Sequence, residues 1–454
     1  MKKLIALLLA VVMVLGLVAC STTETPSNNT PSTETPSTET PSTETPSTTP
    51  ETEAPSEDAT PAEKQTIVYW AQWSENETQA EVLKDAIARF EANNPEYTVE
   101  VNWAGRDVRD IMRTSIDSGI TIDIIESGYD RILSQLGESY LIDLTEYVAG
   151  TDFEASISEG MASFSKGFTT SGESWYYIPA QPFVGTIFYN KAIFREAGIE
   201  KLPETWSEFM DCCQKILDAG YAPITSDDAY LECLYTAYLG TMLGYDSVDQ
   251  MVNNMSVELW GVDAVTQMAS DFADMAAKGY FTEGTGSYVF PSAQNTEFAM
   301  GTTAMYYNGS WLPNEVSAIT GDEFEWGAMY FPVPDGAAGA YTTYTTGCQF
   351  YAVPKTAKNV EGAVKLLAEF TSVETQTDLL NKCQCIPVID GLELPASLAD
   401  CGTLMSTATN AVPWCYSSSI SAEVKAVITP AFSQLVAGEI TAEQFVENVT
   451  SQMN

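Results

Sequence analysis

From residue 66 onward, short apolar runs alternate with stretches of helical period. Thr66-Ile67-Val68-Tyr69-Trp70 reads as a buried strand, and the stretch after it sets Leu83, Ala86, Ile87 and Phe90 on one helical face before Asn93-Asn94-Pro95 stops it. Tyr97 to Trp103 alternates apolar and polar residues as a second strand. A helical stretch then reaches Ser118, and Ile120 to Ile125 forms a third strand. The pattern repeats further on, with a strand from Gly185 to Tyr189, a helix from Lys191 to Ala197, and a helix capped by Thr205. That last helix keeps Trp206, Phe209, Cys213, Ile216 and Leu217 on one face and ends at Gly220. Helical stretches cover Leu231 to Leu243, Val257 to Lys278, Ala363 to Phe370, Val424 to Leu435 and Ala442 to Val449, and a strand runs from Thr303 to Tyr307. Strands alternating with helices predict an α/β fold with mostly parallel sheets flanked by helices, whose ligands gather beyond the carboxyl ends of strands. Trp73 and Glu75, after the first strand, and Tyr129 and Asp130, after the third, are therefore binding candidates.

Composition narrows the chemistry. The 454 residues carry 20 Lys and Arg against 62 Asp and Glu, a formal charge of −42, which repels nucleic-acid phosphates and argues against DNA or RNA as a partner. No histidine is present, so Ser-His-Asp and Cys-His catalysis and HExxH zinc sites are excluded. Paired carboxylates, Lys and Cys remain. Met1-Lys2-Lys3 followed by the apolar run from Leu4 to Val18 is the charged start and short apolar core of an export signal. It ends Leu17-Val18-Ala19-Cys20, which resembles the bacterial lipobox, so Cys20 is the expected lipidation site and residues 1–20 the signal peptide. Residues 21–63 lack Lys and Arg and hold three successive Pro-Ser-Thr-Glu-Thr repeats. Such sequence has no large apolar side chains to offset ordering entropy and is expected to be a disordered, extended linker, at about 3 Å per residue a spacer across a thick Gram-positive wall.

Several stretches together resemble the family 1 extracellular solute-binding proteins of ABC importers, the group of the maltose-binding type. They are Tyr177-Ile178-Pro179 with Phe188-Tyr189-Asn190-Lys191, Leu202-Pro203-Glu204-Thr205-Trp206, Phe298 to Met305 with Asn308-Gly309-Ser310-Trp311, and Phe350 to Pro354 leading into Ala363 to Phe370. The resemblance covers nearly all of residues 64–454. It implies a two-lobed, periplasmic-binding-protein-like fold of type II with a hinge between the lobes. Lobe 1 would comprise 64–180 and about 335–395, and lobe 2 about 181–334 and 396–454. It also implies a lipid-anchored receptor on the outer face of the cytoplasmic membrane that hands a carbohydrate, expected to be an oligosaccharide, to a membrane permease without catalysis. A monomer with no cofactor is expected.

A sugar presents hydroxyls at its edge and weakly polar C–H faces, so its pocket needs aromatic plates and planar amide or carboxylate groups. Trp311, with Asn308 beside it, matches the family position whose indole commonly faces the cleft. Trp414 and Tyr416 match a late aromatic segment, Gln181 and Phe183 flank the expected crossover, and Asp228, Tyr230 and Gln349 complete the candidates. Eight cysteines follow Cys20 without a CxxC pair, so no metal site is expected. Two other readings compete: a secreted carbohydrate-active enzyme using paired carboxylates, and a surface-displayed adhesion module that the stalk would equally suit.

Overall fold

The first apolar run forms strand β1 (Gln65–Ala71), and the alternating run forms β2 (Tyr97–Trp103), paired in parallel from Gln65 opposite Tyr97 to Ala71 opposite Trp103. Between them the helix Thr78–Asn93 buries Ala80, Val82, Leu83, Ala86, Ile87 and Phe90 against the sheet, the expected face. These features come from a computed structural model that describes residues 64–453 apart from Ser292, Asp322, Ala338, Ala340 and Ser418. The export signal, the Cys20 lipidation site and the repeat-rich linker lie outside the described residues.

The remaining strands are β3 (Ile124–Gly128), β4 (Ile178–Asn190), β5 (Ala222–Thr225), β6 (Thr303–Gly309), β7 (Trp326–Met329), β8 (Thr343–Ala352) and β9 (Asn410–Pro413). They hydrogen-bond in the order β2-β1-β3-β8-β4-β6-β5, with β7 on β4 and β9 on β8. The expected parallel pairing holds for β1 with β2 and β3, β5 with β6, and β8 with β9. The ladders in the middle are antiparallel, because β4 and β8 run in opposite directions beside each other and beside β3 and β6.

These two long strands also pass from one hydrophobic core to another. Ile178 and Ala180 of β4 pack with Ile67, Tyr69, Leu83 and Phe90, whereas Val184, Ile187 and Phe188 of the same strand pack with Trp206, Tyr238 and Phe432. In β8, Cys348 and Phe350 belong with Trp70 and Met112, but Tyr344 packs against the C-terminal core. Tyr341 does the same, so the stretch just before β8, expected with the N-terminal part, packs with the C-terminal core, to which β9 ties it. Between them the chain crosses a third time, with Cys383 against Val82 and Ile386 in the C-terminal core.

Local signals explain most helix bounds. Thr205 and Glu208 form a reciprocal capping box at the head of the helix Trp206–Asp218. On that helix Cys212 joins Cys213 in the core, and Leu217, expected inside, is 36% exposed. The expected third strand begins only at Ile124: Ile120 is exposed, and Asp123 turns inward to accept hydrogen bonds from the backbone N–H of Val68, Lys358 and Asn359. The helix expected over 257–278 is broken into Val257–Trp260 and Asp263–Ala277 around Gly261. Among the described residues, no helix is long and apolar enough to cross a membrane.

Candidate functional site

Where β4 and β8 pass between the cores, a cavity of about 580 Å³ opens, and a second of about 290 Å³ adjoins it. Phe183, Trp311, Gln349 and Arg109 line both, so the two are chambers of one cleft divided by those side chains. The larger chamber takes Trp73, Gln181 and Tyr230; the smaller takes Tyr129, Asp130 and Trp414.

Three aromatic rings form the partition. Phe183 lies 5.0 Å from Trp311 and 5.6 Å from Trp414, and the two indoles are 5.5 Å apart, all between ring centroids. The Trp311 Nε1–H donates to the Tyr230 hydroxyl at 2.9 Å, which satisfies the polar edge of the indole and fixes its plane. The rings rest on glycines. A methyl on Gly309 would stand 2.5 Å from Trp311 Cε2, one on Gly185 would stand 2.7 Å from Trp414 Cε3, and one on Gly347 would stand 2.8 Å from Phe183 Cε1. Only a residue without Cβ lets each ring lie flat on its strand. Trp414 is presented by a tight turn in which Cys415 and Tyr416 both take the left-handed φ of 54°, a conformation costly for such side chains.

The wall of the first chamber is built from β1 and β3. Trp73 Nε1–H donates to Glu126 Oε1 at 2.7 Å, the Tyr69 hydroxyl donates to the other carboxyl oxygen, and the Arg106 guanidinium covers the indole face 4.6 Å from its centroid. Glu126 is wholly buried, and that burial pushes its carboxyl up to about 7 against the opposing effect of those two hydrogen bonds. Asp227, beneath Tyr230, is likewise pushed up to about 6 by burial while accepting from the Tyr306 hydroxyl.

The cleft also holds polar groups that nothing satisfies. Gln72 Nε2, Gln181 Nε2, Gln349 Oε1 and Arg109 Nε are enclosed and have no hydrogen-bond partner among the described residues. Each such atom costs roughly 1–3 kcal/mol unless something bonds to it.

Four expected site residues do not reach the cavity walls. Glu75 projects into solvent and pairs with Lys84 at 3.2 Å. Asp228 accepts from the Phe290 N–H at 3.0 Å, Asn308 is sealed inside β6, and Tyr416 packs on Gly240 in the core. Trp73, Tyr129, Asp130, Gln181, Phe183, Tyr230, Trp311, Gln349 and Trp414 are brought together. Gln72, Arg106, Arg109 and Glu315 also line the cleft and are not among the expected site residues. Two had a signal: Gln72 directly follows β1, and Glu315 stands four residues after Trp311, one helical turn along.

Against known proteins, the family model described as bacterial extracellular solute-binding protein matches residues 74–377. The Escherichia coli protein YcjN is 29% identical over 147 residues, covering 32% of this chain and 33% of its own. The diacetylchitobiose binding protein NgcE of Streptomyces coelicolor is 26% identical over 285 residues, covering 59% of this chain and 57% of its own. The chain thus spans a third to under two thirds of the length of these relatives. Among solved structures, RafE in complex with raffinose superposes with a TM-score of 0.69 at 18% identity, covering 86% of this chain and 98% of RafE. With most of its folded length matched by the family model and its fold shared with such solute-binding proteins, this chain belongs to the bacterial extracellular solute-binding protein family.

Proposed function

We propose that this protein is the lipid-anchored receptor of an ABC importer, which grips an oligosaccharide in the cleft and delivers it unchanged to a membrane permease. The observation that carries this is the partition of Phe183, Trp311 and Trp414, seated on three glycines and bordered by the unsatisfied amides of Gln72, Gln181 and Gln349. Aromatic faces suit the C–H faces of pyranose rings, and amides turned toward the guest would exchange paired bonds with its hydroxyls. Two chambers around one partition suit a guest of more than one ring. NgcE is described as binding diacetylchitobiose, and RafE was solved with raffinose, which favours a sugar over other neutral solutes.

Residues 64 to about 180 with 347–385 then form one lobe, and 181–346 with 386–453 the other, in line with the core to which each segment packs. The lobes close on the guest by bending where β4 and β8 cross. Hydrolysis is the disfavoured reading: of the four carboxylates that line the cleft, Glu77, Asp130 and Glu232 are each held by a cation, which leaves Glu315 without the second free carboxyl that a hydrolytic pair needs. A thermal-shift screen against di- to tetrasaccharides should raise Tm for at least one, with no product by chromatography. Trp311→Ala should abolish that shift. Unchanged affinity in the variant, or consumption of the sugar, would end this reading.

A further inference from the structure

The cleft departs from the electrostatics of the rest of the protein. Across a chain with 20 basic and 62 acidic residues, its two chambers are lined by four basic and four acidic side chains. Three pairs cancel locally: Arg106 with Glu77 at 3.1 Å, Arg131 with Asp130 at 3.3 Å, and Lys425 with Glu232 at 2.8 Å.

Arg109 is the cation left over. It stands on the helix Val108–Asp117, half-buried at the junction of the two chambers, and no carboxylate of the described residues lies within 4.0 Å of it. Of its five N–H donors, Nη2 makes one long bond to Gln72 Oε1 at 3.4 Å, and Nε makes none. Burial and the neighbouring Arg106 guanidinium lower its pKa, whereas Asp130 and Asp110 act on it only from a distance. A desolvated guanidinium with open donors is a poor arrangement unless a planar, two-oxygen anion completes it. The carboxyl left over on the opposite wall, Glu315, bonds only to Asn295 at 3.4 Å.

We infer that the guest is an acidic sugar, an oligosaccharide with a uronic acid residue whose carboxylate docks on Arg109 between the chambers while its rings lie against Phe183, Trp311 and Trp414. This rests on the sugar-binding reading above and narrows it. The net acidity of the protein opposes an anion at long range, but that field is screened within about 10 Å at ordinary salt, and the local contact decides.

The test is calorimetric titration with matched pairs: trigalacturonate against its carboxyl-reduced form, and xylotriose with and without a glucuronate branch. At least one acidic member should bind tenfold or more tighter than its neutral counterpart, and the preference should shrink in 0.5 M salt. Arg109→Gln should erase the preference by weakening the acidic member at least tenfold more than its neutral counterpart, and Arg109→Lys should retain part of it. Equal binding within both pairs, or a preference that survives Arg109→Gln, overturns the inference and leaves the sugar reading standing. So does an equal loss for both members of a pair, which would mean that Arg109 instead meets Glu315 when the cleft closes. Should neither these probes nor the neutral screen bind, the sugar reading itself falls, and this inference with it.

Discussion

Gly309 offers the sharpest test of how the aromatic partition is held. It ends β6, and a methyl on its Cα would sit 2.5 Å from Trp311 Cε2 with two further indole carbons as close. Carbon atoms rest about 3.5–4.0 Å apart, so in Gly309→Ala the indole must shift by about 1 Å. The strand beneath cannot yield instead, because Gly309 is paired across the sheet with Gly185. Overpacking of this kind costs roughly 1–3 kcal/mol, and the displaced indole loses its 2.9 Å bond to the Tyr230 hydroxyl, a contribution of about 1 kcal/mol. Alanine in place of glycine returns about 0.5–1 kcal/mol by restricting the unfolded chain, leaving a net loss of about 1–3.5 kcal/mol. Urea unfolding followed by circular dichroism measures that loss, and ligand-induced thermal shift measures the damage to binding. Gly160→Ala is the control, since Gly160 lies on the surface helix Glu159–Gly167 with open space around it. It should be neutral or slightly stabilising. Wild-type stability and wild-type sugar affinity in Gly309→Ala would refute the claim that this glycine seats the indole.

Two further outcomes are expected. Glu126 has its carboxyl pushed up to about 7 in the folded protein, against an ordinary value near 4.3 in the unfolded chain. The native state therefore holds the extra proton, so stability falls as pH rises from about 4.5 through 7, by roughly 4 kcal/mol in all. Glu126→Gln should flatten that dependence, gaining on the wild type at pH 8 relative to pH 5 in denaturant titrations; parallel curves would show that Glu126 does not ionise in this range. Replacing Cys20 with Ser should move the protein from the membrane fraction to the medium, as read by immunoblot of fractionated cells, and retention on the membrane would remove the lipid anchor from the proposal.

Elements governed by neighbours along the chain were readable in advance. Leu231–Leu243 agrees with its expected span, and Thr205 caps the helix it was expected to cap. Both depend on contacts three or four residues apart, which sequence displays directly. The expected strand from Ile120 failed for the opposite reason: Asp123 is recruited by the backbone at 68, 358 and 359, a set of partners that no local pattern reveals.

The same division runs through the cleft. Trp73, Tyr129, Phe183, Trp311, Gln349 and Trp414 were identifiable because strand ends and family-like segments marked them, and aromatic character belongs to the residue itself. Glu75, Asp228, Asn308 and Tyr416 sit beside true wall residues in the chain but face away from the cavity, since neighbours in sequence point in different directions. Arg109 looked like one more charge in the run Arg106-Asp107-Val108-Arg109-Asp110. Its isolation arises only when β4, β8 and their flanking helices enclose it and the cleft carboxylates Glu77 and Asp130 pair with Arg106 and Arg131 instead. Sequence alone thus determined the class of fold, the helical faces and the supply of aromatic plates, all short-range or compositional properties. Which charge is left unpaired between two chambers depends on distances between segments far apart in the chain, and only the tertiary structure decides that.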